Sequence, residues 1–76
     1  MTKYLHEIFF NHSKVAMHFY TMLMDEFDII PTMTTYKIGD EEYYKVSFID
    51  SFTNQQVVSL LNNCDYVYDD VISTEK

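Results

Sequence analysis

The sequence predicts a small two-layer α+β domain of order α-β-β-α-β, with two helices on one face of a three-stranded antiparallel sheet. Three observations carry this expectation. The first 28 residues place Leu5, Phe9, His12, Ala16, Phe19, Leu23 and Phe27 at steps of three or four, the period of an amphipathic helix. Two alternating, β-branched runs flank Gly39-Asp40, the pattern of a hairpin. Thr53-Asn54-Gln55-Gln56 has the form of a capping box ahead of a shorter second helix.

The first helix is expected over residues 3–28, with Thr2 as its N-cap. It should end at Ile29 and Ile30, because the residue before Pro31 avoids the α region. Asn11, His12 and Ser13 mark an alternative break that would leave Tyr4 to Phe10 extended, but the unbroken period favours one helix. Thr32 to Ile38 and Glu42 to Ile49 make the hairpin strands. Val57, Leu60 and Leu61 mark the inner face of the second helix, which Asn62-Asn63 closes. Cys64 to Ile72 is a strand by aromatic and β-branched content, and Ser73 to Lys76 is expected to fray. If the second helix crosses over a strand, the last strand lies beside Thr32 to Ile38, which is then central.

Seventy-six residues form one domain, 1–76, near the lower limit for an unaided core. A hydrophobic fraction of 47%, with six Phe and seven Tyr, makes the chain too apolar to stay disordered. Cys64 is the only cysteine, which excludes a disulfide framework and any multi-cysteine zinc site and suits a reducing cytoplasm. No apolar run approaches the ~20 residues of a bilayer span. Glu7, Asn11, His12 and Lys14 interrupt any signal-peptide core, so a soluble, cytoplasmic protein is expected.

Charge is the dominant feature. The net charge is −7, yet from Asp25 to Glu75 eleven carboxylates face only Lys37 and Lys45. The acids are clumped: Asp25, Glu26 and Asp28; Asp40, Glu41 and Glu42, followed by Tyr43; and Asp65, Asp69 and Asp70, interleaved with Tyr66 and Tyr68. Ordinary surfaces intersperse both signs. A surface this one-sided repels nucleic acid and membranes and attracts basic proteins. Duplex DNA carries one negative charge per ~1.7 Å, and the proteins that grip it array Lys and Arg to match. Acid clusters on a rigid frame are therefore expected to occupy such a surface in place of DNA.

No chemistry competes with this reading, and no enzyme activity, cofactor or metal is expected. On one continuous helix, His6, His12 and His18 diverge, each step of six residues turning about 600°, so the three cannot share an ion. His12 belongs to the apolar stripe and is expected in the core, with His6 and His18 at the surface. Cys64 has Asp65 as neighbour, which disfavours the thiolate. Gly39 alone makes no phosphate loop, and neither Asp40-Glu41-Glu42 nor Asp65 to Asp70 has the ligand pattern of an EF-hand. Gln55-Gln56-Val57-Val58-Ser59-Leu60 loosely echoes the peptides that dock in bacterial sliding clamps, but here it is expected to be a packed helix.

The first helix carries more apolar surface than one sheet can cover, and Phe10, Met17, Tyr20 and Met24 fall largely outside its main stripe. A twofold homodimer through these residues is expected. The alternative is a regulatory or assembly adaptor that uses the Met-rich, adaptable helix to bind another protein.

In length, charge, a composition rich in Asn, Ile, Phe, Tyr and Lys, and lack of catalytic residues, the chain resembles small acidic proteins with which bacteriophages disable host DNA-handling machinery. DNA mimics and inhibitors of the replication sliding clamp are among them. The resemblance implies a non-enzymatic inhibitor in the host cytoplasm. Its action would be steric and electrostatic occlusion of a DNA-binding channel by Asp40 to Glu42 and Asp65 to Asp70.

Overall fold

The computed structural model describes residues 2–76. Six elements follow in order: β1 (Tyr4–Phe10), α1 (Ser13–Phe27), β2 (Thr32–Ile38), β3 (Glu41–Asp50), α2 (Asn54–Asn63) and β4 (Asp70–Glu75). The strands form one antiparallel sheet in the order β2-β3-β1-β4. The α+β class and the two helices are as expected. The sheet has four strands instead of three, because the expected first helix is two elements.

Tyr4–Phe10 satisfies a period of two as well as a period of four. His6, Ile8 and Phe10 alternate inward and are fully buried, while Leu5, Glu7 and Phe9 turn to the other face. Its aromatic and β-branched residues suit a strand with neighbours on both sides, and β1 pairs with β3 and β4. The chain breaks at Asn11-His12, with His12 extended ahead of α1. The N-cap is therefore His12 and not Thr2. Asp28 ends α1 in the left-handed region at φ 54°, and Ile29 N–H donates to Leu23 O at 3.0 Å.

The hairpin and the second helix form where expected. Gly39, at φ 63°, makes the two-residue turn that sets Ile38 opposite Glu41. Thr53 caps α2 by accepting from Gln56 N–H at 3.2 Å, and Gln56 Oε1 accepts from Thr53 N–H at 2.8 Å. Inward-facing Val57 and Leu61 are fully buried, so the Gln55 to Leu60 segment is a packed helix.

The last strand departs from expectation twice. It lies beside β1, not beside Thr32–Ile38, because the strand that the α2 crossover skips is β1 itself. It also starts at Asp70 and continues through Ser73, Thr74 and Glu75, which pair with His6, Leu5 and Tyr4 instead of fraying. Lys76 N–H extends the ladder to Lys3 O at 2.9 Å. The result is two interlocked βαβ units, each with its parallel strands separated by a strand of the other, the split arrangement called ferredoxin-like. Fold alone assigns no function.

Both helices pack on one face of the sheet. Ile8, Phe10, Val46 and Phe48 meet Ala16, Phe19 and Leu23 of α1 and Val57 and Leu61 of α2. Phe19 is central, 5.6 Å from the Phe10 ring and 6.4 Å from Phe48. Among the described residues, none forms a layer over the opposite face, and no helix is long and apolar enough to cross a membrane.

Candidate interaction surface

The β2–β3 hairpin outruns the rest of the sheet. Phe10↔Tyr44 is the last β1–β3 pair, and Tyr36↔Tyr43, Lys37↔Glu42 and Ile38↔Glu41 project beyond it in a molecule 41 Å long. Asp40, Glu41 and Glu42 sit on this arm. The tyrosines two residues further on hold its carboxylates: Tyr43 Oη donates to Glu41 Oε2 at 2.5 Å and Tyr44 Oη to Glu42 Oε2 at 3.0 Å. Both phenols are raised above the ordinary tyrosine value, chiefly because ionisation would break the bond to glutamate and add a second negative charge beside it.

Register brings a second acid cluster to the same end. Asp70 pairs with Phe9 at the end of β1, and Asp69 N–H donates to Phe9 O at 2.7 Å. Asp69 is close enough to Tyr43 for its charge to disfavour the phenolate. Asp69 and Asp70 thus stand across a groove from Tyr36, Ile38 and Tyr43, with Phe9 on its floor.

The other expected partner-binding residues are not gathered here. Asp25, Glu26 and Asp28 lie at the C-terminal end of α1, which runs back from the hairpin end for 15 residues, about 22 Å. Asp65, in the loop before β4, adopts φ 56° and lies across a different groove from Lys14. Tyr66 turns inward, its ring 5.7 Å from Phe19 and its hydroxyl 3.0 Å from His18 Nδ1. Tyr68 is half-buried against the core. Tyr66 and Tyr68 thus pack from a loop against the core.

The expected dimer surface is also redistributed. Phe10 is fully buried, because it is an inward residue of β1 and not an outward residue of a helix. Tyr20 is half-buried against the core, while Met17 and Met24 are exposed. Much of the exposed apolar surface lies instead on the uncovered sheet face and its margin, at Ile30, Ile38, Ile49 and Ile72. Placing Tyr4 to Phe10 in a helix hid that face. The alternation of His6, Ile8 and Phe10 with Leu5, Glu7 and Phe9 was the signal for it.

The histidines exchange roles. His12 is exposed beside the helix start, and His6 is fully buried, because β1 points it inward. His6 Nε2 donates to Phe52 O at 2.7 Å, and Nδ1 accepts from the Ser73 hydroxyl at 2.7 Å. Ser73 Oγ in turn accepts from Asn54 Nδ2 at 2.9 Å. Burial lowers the His6 pKa, and the bond to Phe52 O and the charge of Asp50 oppose that shift. Because the continuous helix does not exist, it cannot be what keeps the histidines apart; their separate elements do so. Among the described residues, no three His, Cys, Asp or Glu side chains are grouped as for a metal ion.

Cys64 is exposed and shares a groove with His18, Asp25 and Glu26. His18 Nδ1 lies 3.0 Å from the Tyr66 hydroxyl.

No protein-family model matches the chain, no curated protein matches it, and no solved structure matches it.

Proposed function

We propose that this chain is a non-enzymatic acidic interaction protein that occupies the basic DNA-binding surface of a DNA-handling protein, acting as a DNA mimic. The observation that carries this reading is the convergence of Asp40, Glu41 and Glu42 with Asp69 and Asp70 at the projecting hairpin end. Five acids there face two lysines: Lys37, opposite Glu42 on the same arm, and Lys45, which is bound to Glu7 at 3.0 Å. A concentrated negative end on an antiparallel frame can displace counterions from a Lys- and Arg-lined surface much as phosphates do. The resemblance to phage inhibitors supports a host replication protein such as the sliding clamp as partner, met in the cytoplasm.

The reading requires mutual exclusion with DNA. Labelled duplex is bound to a panel of purified basic DNA-binding proteins, the sliding clamp included, and this protein is added at rising concentration. Displacement from at least one panel member, without binding to the duplex itself, is expected. Binding of the isolated protein to the duplex would overturn the proposal.

A second reading, an adaptor or homodimer through α1, is supported by Met17 and Met24. They are exposed and two turns apart on one side of the helix. Sedimentation equilibrium separates the two: a 9.1 kDa species at all concentrations removes the dimer.

A further inference from the structure

The groove at the hairpin end has a chemistry beyond negative charge. Its volume is about 270 Å³, and Phe9, Tyr36, Ile38, Tyr43, Asp69 and Asp70 line it. Phe9 and Tyr36 lie nearly parallel, 25° between planes and 6.1 Å between centroids. The groove is open because both helices pack on the other face, the hairpin outruns β1, and the chain enters β4 beside Phe9. It is an apolar, aromatic cleft with two carboxylates along one side.

Three occupants can be compared on charge and shape. A nucleic-acid base would stack on the rings, as bases do on the open sheets of RNA-binding modules, but its phosphates would meet Asp69, Asp70 and the nearby Glu41. A purely apolar side chain would leave the carboxylates without a partner. A cation satisfies both features, since ring faces and carboxylates each attract positive charge. The protein already shows this preference within itself, with Lys45 Nζ 5.7 Å from the centroid of the Tyr36 ring. Among cations, the planar, weakly hydrated guanidinium stacks on rings and meets carboxylates through paired N–H groups, as an ammonium cannot.

We propose that this groove receives an arginine side chain of the basic partner, its guanidinium against Tyr36 and Phe9 and its N–H groups on Asp69 and Asp70. The inference deepens the function proposed above and rests on it for the nature of the partner. It makes the hairpin end selective for arginine over lysine, which clustered charge alone would not do.

The test titrates the capped tripeptide Gly-Arg-Gly into isotope-labelled full-length protein, with Gly-Lys-Gly and Gly-citrulline-Gly for comparison. The ring resonances of Phe9, Tyr36 and Tyr43 should shift together with arginine. Lysine should bind several-fold more weakly, and neutral citrulline should not bind. Tyr36→Thr, which puts a strand-favouring, β-branched residue on edge strand β2, should weaken the arginine peptide by about tenfold, and Asp69→Asn with Asp70→Asn should do so at least as much. Equal affinity for arginine and lysine, or shifts confined to carboxylates, would overturn the assignment. The wild-type comparison decides even where a variant fails to fold. If DNA displacement succeeds and arginine selectivity fails, the groove proposal alone falls. If arginine selectivity succeeds and no panel protein is displaced from DNA, the mimic reading falls and the groove stands.

Discussion

Lowering the pH below 6.5 should destabilise the protein through a single buried group, His6. The ring is fully buried and bonded at both nitrogens, donating to Phe52 O and accepting from Ser73. The neutral Nε2–H tautomer suits this network, because Phe52 O can only accept and the Ser73 hydroxyl, which accepts from Asn54, has a proton to give to Nδ1. A second ring proton would turn the Ser73 hydroxyl from donor to acceptor and place a charge on a fully buried ring. Burial holds the folded pKa below the ordinary histidine value of 6.5, outweighing the carbonyl of Phe52 and the charge of Asp50. Between the depressed folded pKa and 6.5 the unfolded chain therefore binds more protons, and stability must fall as the pH falls. The slope for one proton is at most about 1.4 kcal/mol per pH unit. The informative quantity is the difference between wild type and a variant that lacks the histidine. Urea unfolding of wild type and His6→Gln, from pH 7.5 to 4.5, isolates the histidine. Wild type should lose stability relative to the variant below pH 6.5. A difference that stays flat across that range would refute the neutral-histidine network.

Other consequences follow from the same geometry. Thr53→Ala removes the α2 cap and should cost about 1 kcal/mol in chemical unfolding. Asp25 and Glu26 lie in the last turn of α1, where carboxylates oppose the helix dipole. Replacing either with Lys should stabilise by roughly 0.3–1 kcal/mol, and a loss would contradict the placement. Phe10→Ala empties a fully buried site and should cost about 3–5 kcal/mol. Met17→Glu, on the exposed side of α1, should leave stability nearly unchanged and yield monomers on sedimentation if that helix forms the dimer.

The parts of this fold that were legible in the sequence are those that short-range chemistry decides. Gly39-Asp40 makes a hairpin because the turn needs a left-handed residue there, and Thr53 with Gln56 caps a helix through bonds spanning three residues. The β1 strand was not legible in this way. Leu5, Phe9 and His12 continue the stripe of Ala16, Phe19 and Leu23, while His6, Ile8 and Phe10 alternate equally well, so both periods coexist in one run. Pairing with β3 and β4, 34 or more residues away, selects the strand. Cys64 to Tyr68 read as strand because Tyr66 packs on Phe19 and Tyr68 against the core from a loop, and packing aromatics resemble sheet aromatics in a sequence. The three acid clusters were visible as charge. That two of them meet depends on the Phe9↔Asp70 register, which no local pattern encodes.

The central claim is that the hairpin end, and not acidity at large, is what a basic partner recognises. Charge reversal to Lys in each cluster separately tests it most directly, with affinity for a displaced DNA-binding protein measured across salt concentrations. Reversal of Asp40, Glu41 and Glu42, or of Asp69 and Asp70, should each weaken the complex by at least about tenfold and flatten its salt dependence. Reversal of Asp25, Glu26 and Asp28, at the far end of α1, should change affinity much less. Equal losses from all three clusters, or an affinity indifferent to salt and to every reversal, would contradict the account.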